Sequence, residues 1–328
     1  MTNRVNKNEK AALSTAILTA LVSTSSYAAT VYKDGGTELK LGGRVEFRGD
    51  FIGSGGAEVD GSMEDKSRAR LNLKGKTDIG NGLSAFGVYE AEQKTGKSEF
   101  QNRYMYAGVG SEVGDFSVGR QDMAAVIISD MTDITEFSGV QQVIDASSDK
   151  QDSVFAYRGE FDALQVQATY QANSGDSQDK YGISGLYSLP MGLDLGLAYS
   201  GGDVDKNNSE DQILGGVAYS FDSLYLAGTY SQGAINDSVD FTAYELVASY
   251  KVNKFTIAGL YTYQENDPNG AAKFDAVDGF ELVGYYKLNS NFRTYLSYYM
   301  NQLDEEKNDE GMIIEGEDTL RLGVRYDF

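Results

Sequence analysis

The 328-residue chain contains neither histidine nor cysteine. Their absence removes the commonest acid–base group, the commonest transition-metal ligand and every Ser–His or Cys–His nucleophile. What remains is fixed charge, 28 Lys and Arg against 49 Asp and Glu. The best-ordered of these charges alternate along the chain. Lys40, Arg44, Glu46, Arg48 and Asp50 fall on one parity, as do Arg68, Arg70, Asn72, Lys74, Lys76 and Asp78. Side chains with that spacing share one face of an extended strand, whereas a helix would scatter them around its circumference. Such rows solvate a polar surface. A carboxylate pair could still act as acid and base, but no compact acidic constellation stands out in a strand. No acidic spacing resembles a calcium loop, so no metal site is assigned. The acids Asp304, Glu305, Glu306, Asp309 and Glu310 are expected to solvate a surface loop.

The opposite parity shows what positions these rows. Leu39, Leu41, Val45 and Phe47 lie behind the first row, and Ala69, Leu71 and Leu73 behind the second. The same alternation returns at Phe255, Ile257, Tyr261 and Tyr263, at Phe280, Leu282, Tyr286 and Leu288, and at Leu320, Leu322, Val324, Tyr326 and Phe328. Compact turns such as 80–82, 111–114, 162–163 and 222–223 alternate with longer acidic connections such as 53–65, 123–150, 174–179 and 305–316. The segments between them number sixteen, starting near 37, 66, 83, 100, 115, 152, 164, 180, 193, 210, 224, 239, 254, 274, 292 and 317. About ten alternating residues per segment, with short and long connections in turn, is the pattern of a membrane barrel.

Composition agrees with many strands. There are 38 Gly, 23 Tyr and 15 Phe but 2 Pro and no Trp, and the mean hydropathy is −0.38. No stretch after the N-terminal region approaches the ~20 apolar residues of a membrane helix. An alternating strand is only half apolar, so its average conceals it. Tyr and Phe would form the aromatic girdle. The expected fold is an all-β, 16-stranded antiparallel transmembrane barrel, wide enough for an aqueous lumen.

The N-terminus has basic residues Arg4, Lys7 and Lys10, the apolar run 11–22, and small residues at Ser26 and Ala28. It is expected to be a secretory signal over 1–28, leaving one barrel domain over 29–328. The net charge is −21, which argues against nucleic acid as a partner.

Several segments resemble the trimeric general porins of Gram-negative bacteria, of the enteric and vibrio type. They are ATVYKDGGTELKLGGRVEF from residue 29, ARLNLKGKTDIGNGLSAFGVYE over 69–90, NRYMYAGVGSEVGDFSVGRQD over 102–122, and the ending LRLGVRYDF. The resemblance covers the whole chain after the signal. It implies a homotrimer in the outer membrane, in contact with lipid and lipopolysaccharide. The terminal Phe328 with Tyr326 would be the signal read by the barrel-assembly machinery. Residues 123–150 take the place of the loop that folds into the lumen, and TEFSG (135–139) resembles its tip, without the family's proline before Glu136. Asp130, Asp133 and Glu136 would line one side of the constriction. Arg44, Arg68, Arg70, Arg120 and Lys150 would line the other, creating a transverse field that favours polar solutes. Parity supports Arg44, Arg68 and Arg70. Arg120 shares its parity with Phe116 and Val118, so its placement rests on the resemblance and needs a bulge or a strand end. Arg103 and Arg158 are as readily simple lumen-solvating residues.

The implied function is passive diffusion of ions and small hydrophilic solutes, with no cofactor and, from the acidic excess, a preference for cations. A substrate-specific porin is the main alternative. A sugar channel would want an inward aromatic ladder, whereas the aromatics are expected mainly outward, and a phosphate channel would want lysine in a loop that is acidic except for Lys150. An outer-membrane enzyme and a soluble secreted β-sandwich are weaker alternatives.

Overall fold

The computed structural model of the chain describes residues 28–173, 178–303 and 316–328. The expected signal, apart from Ala28, lies outside these residues, as do parts of the 174–179 and 305–316 connections. The strands are β1 Ala29–Asp34, β2 Thr37–Ser54, β3 Ala57–Glu58, β4 Glu64–Asp65, β5 Arg68–Gly80, β6 Leu83–Lys94, β7 Gln101–Ser111, β8 Gly114–Gln121, β9 Gln151–Phe161 and β10 Leu164–Gln171. They continue as β11 Lys180–Leu189, β12 Leu193–Asp205, β13 Asn208–Phe221, β14 Leu224–Asn236, β15 Val239–Val252, β16 Phe255–Pro268, β17 Phe274–Lys287, β18 Phe292–Asn301 and β19 Thr319–Asp327. β2 and β5–β19 form a closed 16-stranded antiparallel barrel, each strand beginning within two residues of its expected start. The expectation did not include β1, or the two-residue β3 and β4 in the first long connection.

The alternation appears directly in exposure. Along β17 and β18, Leu282 and Leu296 are 55% and 53% exposed on the outer surface, while Glu281 and Ser297 on the inner face are 2% and 0%. Non-glycine residues supply the left-handed backbone of several short turns: Asn81, Asp162, Asp222 and Asn253 have φ of 54°, 53°, 52° and 54°. Asn and Asp tolerate this region best, because their side chains bond locally.

Closure occurs on β2. Its Thr37–Glu46 stretch pairs with β5 along one edge. On the other edge, β1 folds back over Thr37–Leu41 through Gly35 and Gly36, and β19 pairs over Arg44–Ile52. The two partners meet at Gly43, whose N–H donates to the Phe328 carbonyl at 2.9 Å and whose carbonyl accepts the Phe328 N–H at 3.0 Å. The glycine is needed here for its lack of bulk. A Cβ on Gly43 would stand 2.4 Å from the Arg70 carbonyl oxygen and 2.6 Å from the Phe328 ring. Gly43→Val should therefore weaken closure by about 1–3 kcal/mol. It should lower the temperature at which the detergent-solubilised barrel loses its β-sheet circular dichroism, and an unchanged transition would show that the seam tolerates the bulk.

Candidate pore constriction

Residues 122–150 leave β8 and pass inside the barrel. Their first part forms a short helix, α1 Val126–Ser129. Met123, Ile128 and Met131 are each 0% exposed. Ile128 and Met131 pack against Leu186, Leu214, Tyr225, Val247 and Leu260, which are inward-facing residues of β11, β13, β14, β15 and β16. One wall of the lumen is thus apolar where the loop covers it. Gly196 and Gly216, paired in register on β12 and β13, make the seat. A Cβ on Gly216 would lie 2.7 Å from the Met131 sulfur and 2.8 Å from Ile128.

Three wall carboxylates secure the loop backbone. Glu245 accepts the N–H groups of Gly139 and Val140 at 2.8 and 3.1 Å and the Thr132 hydroxyl at 2.6 Å. Glu281 accepts the N–H groups of Glu136 and Phe137, each at 3.0 Å. Glu210 accepts the Ala146 N–H at 2.8 Å and pairs with Lys180 at 3.0 Å. Charged acceptors make the stronger class of hydrogen bond, so these loop N–H groups are firmly satisfied. Tyr225 adds a bond from its hydroxyl to the Met131 carbonyl at 2.6 Å.

The other face of the loop borders an open cavity. Asp122, Asp130, Asp133, Glu136 and Lys150 line it together with Arg44, Arg68, Arg70 and Arg103 from the barrel wall. The wall is not simply cationic. Arg68 contacts Glu46 at 2.7 Å, Arg70 pairs with Glu92, and Arg103 contacts Glu90 at 2.7 Å and Glu92 at 3.8 Å. Arg44 is 5% exposed and reaches Glu46 only at 4.0 Å.

The loop acids also differ from one another. Burial raises Asp130 well above the usual carboxylate range, helped by Asp133 and Asp122 and opposed by Lys150. Asp133 accepts the Ser138 hydroxyl at 2.6 Å. Glu136 is fastened across the lumen: its carboxylate meets Arg48 at 3.3 Å and accepts the Tyr285 hydroxyl at 3.2 Å, and its carbonyl accepts Arg321 at 3.1 Å. Burial pushes Lys150 down to about 8, with Arg103 and Arg70 adding to the fall and Asp122 and Asp133 opposing it.

Arg120 is a correction to the expected basic wall. It does not line the cavity; it donates to the Asn102 carbonyl at 2.9 Å and pairs with Asp152 at 2.9 Å. β8 stays in register with β7 through Arg120, so the parity shared with Phe116 and Val118 holds. The irregularity lies in the β8–β9 ladder, and Ser153 of β9 has φ 57°. Arg103, two-way with the lumen-solvating reading from sequence, stands in the cavity instead. Arg158, weighed beside it, does not line this cavity; it bonds Gln121 and the Asp122 carbonyl at the base of the loop. The inward tyrosines were also missed. Most aromatics face outward, but Tyr225 and Tyr295 are each 2% exposed inside the barrel, and Tyr299 stacks on Phe137 at 4.8 Å. The sequence did carry a signal for the anchors: Glu245 interrupts the inward run Phe241, Ala243, Val247. Among the described residues, no group of three acidic side chains is placed to hold a metal ion.

The chain matches the family described as Gram-negative porin over residues 14–306. It is 33% identical to porin-like protein L of Photobacterium profundum, across 97% of this chain and 99% of that protein. It is 32% identical to outer membrane protein U of Vibrio cholerae, again over 97% and 99%. Among solved structures, OmpF of Salmonella typhi in complex with daunomycin superposes with a TM-score of 0.80 at 20% identity, covering 92% of this chain and all of that one. The trimer form of Vibrio cholerae OmpT superposes with a TM-score of 0.74 at 17% identity, covering 90% and 100%.

Two outcomes follow from the loop seat and its charges. Gly216→Val should push α1 toward the lumen axis and lower single-channel conductance, whereas unchanged conductance would show that the loop does not rest on Gly216. As pH rises through about 8, Lys150 gives up its positive charge. Cation selectivity should therefore increase across that interval, and Lys150→Met should remove the step, as read by reversal potentials at graded pH.

Proposed function

The chain belongs to the Gram-negative porin family and is an outer-membrane β-barrel protein; from that premise we propose that it forms a passive, water-filled channel for ions and small hydrophilic solutes, with a preference for cations. The observation that carries this is the cavity bounded by the inserted loop and the arginine wall. The loop narrows the lumen without filling it, and charged groups of opposite sign face each other across the gap. A fixed transverse field in a confined aqueous space favours polar over apolar solutes. Cation preference is supported by the pairing of the wall arginines with Glu46, Glu90 and Glu92, which offsets much of their charge. Asp133, in contrast, is held by the Ser138 hydroxyl and, among the described residues, has no cation within ion-pair distance, and the chain as a whole carries −21. No reacting constellation is needed for passage, and the relatives are porins.

We also infer a homotrimer built through the first strands. Outside the barrel, Leu39, Leu73, Tyr89, Met105 and Val118 surround a shallow depression floored by Gly75, Gly87 and Ala107. Such a surface accepts close packing by another copy. Residues 1–28 serve as the export signal in this account, and outward-facing Tyr326 and Phe328, whose rings stack at 6.3 Å, serve as the assembly signal. Lipopolysaccharide would contact the acidic outer loops.

Planar-bilayer recording tests the function. Purified protein should conduct in symmetric salt, pass uncharged solutes up to a size limit, and show a reversal potential of cation sign in a salt gradient. Asp133→Asn should reduce the cation-to-anion permeability ratio roughly threefold, by loss of one charge near the path. Sealed bilayers would refute the channel, and anion preference would refute the selectivity.

A further inference from the structure

A second ordered set of charges lies inside the barrel, at the end where the turns are short. Lys287 of β17 is paired in register with Arg293 of β18, and Arg293 with Arg325 of β19. All three line the lumen cavity. Like charges directly opposite on one sheet face repel and destabilise the pairing. Closure of the barrel does not require them, since any polar residue would satisfy a wetted position.

Their compensation is incomplete. Arg325 is matched by Asp327, whose carboxylate accepts its Nε at 2.8 Å. Among the described residues, no carboxylate stands within ion-pair distance of Lys287 or Arg293. The Arg293 guanidinium lies 5.7 Å over the Tyr285 ring, and its Nε is buried without a hydrogen-bond partner. Lys251 joins the group from β15, level with Tyr285 through Thr256. Beside the row, in register with Asp327, stands Arg44, which is 5% exposed and whose Nε also lacks a partner. Among the described residues, the carboxylate it reaches is Glu46 at 4.0 Å, which Arg68 holds more closely at 2.7 Å. Surplus positive charge is thus concentrated here in a protein of net charge −21.

We propose that Lys251, Lys287, Arg293 and Arg325, with Arg44 beside them, form a binding site for a small polyvalent phosphate-type oxyanion in the periplasmic half of the lumen. The side-chain chemistry selects the class. Guanidinium and ammonium groups with unfilled N–H positions need a ligand with several oxygen acceptors and more than one charge. Neighbouring strands lie about 4.8 Å apart, so the row across β17–β19 spans about 10 Å. That length suits a short chain of phosphates better than a single halide. The site's place in transport rests on the channel function proposed above; its occupancy does not.

Calorimetric titration of the full detergent-solubilised protein with inorganic tripolyphosphate at low salt tests the site. Saturable binding is expected, weakened about tenfold by Lys287→Gln or Arg293→Gln and retained by Lys287→Arg, which keeps the charge. Absence of saturable heat in the folded protein, or identical titrations for the wild type and both glutamine variants, would overturn the proposal. Conductance of the same preparation in chloride alone tests the channel separately, so a silent bilayer with intact binding would sink only the transport function. In a conducting bilayer, tripolyphosphate should block at lower concentration from the side of the short turns.

Discussion

In hydrocarbon, an unpaired backbone N–H or C=O has no water to bond, so a spanning sheet must close on itself. Closure here depends on β2 receiving partners along both edges, with β1 and β19 sharing one edge and meeting at Gly43. Once the ladder is complete, strand parity divides the side chains between lipid and lumen. The exposed Leu282 beside the buried Glu281 shows that division within a single step of the chain. A barrel of this width does not fill its own interior, and the space left open is what the rest of the molecule uses.

The inserted loop is a small folded unit with its own core. It carries Ile128 and Met131 to a wall that departs from the polar-inside pattern, and paired glycines lower that wall beneath them. Apolar contact alone would leave the loop's backbone groups unsatisfied in a confined space. Glu210, Glu245 and Glu281 meet that need from three separate strands. These acids are therefore spent on holding the loop, while Asp133 is left to face the opening. The distinction matters for function, because a carboxylate fully engaged by hydrogen bonds contributes less to the field felt by a passing ion.

The arginine wall follows the same logic. Packing several guanidinium groups together is unfavourable without nearby anions, and Glu46, Glu90 and Glu92 alternate among Arg44, Arg68, Arg70 and Arg103. The wall is polar but largely compensated. Closer to the short turns, compensation fails at Lys287 and Arg293. The lumen is thus a sequence of electrostatic zones, and the total charge of the chain describes none of them.

The sixteen strands were legible from residue order because period-two alternation and turn chemistry are local, and strand starts such as 83, 164, 224 and 274 needed no tertiary information. Arg44, Arg68 and Arg70 were legible for the same reason: parity alone decides which side of a sheet a residue faces. Parity also foretold the outward Arg120, which the family resemblance had placed inside. The pairing of Arg70 with Glu92, the fastening of Glu136 to Arg48 and the seat of Met131 on Gly216 belong to the tertiary structure. Each joins residues that lie on different strands or across the lumen, and strand register or the closed sheet, not local pattern, sets those distances. Local pattern determined which residues are wet; the closed barrel decided which of the wet charges are neutralised and which remain to act on a solute.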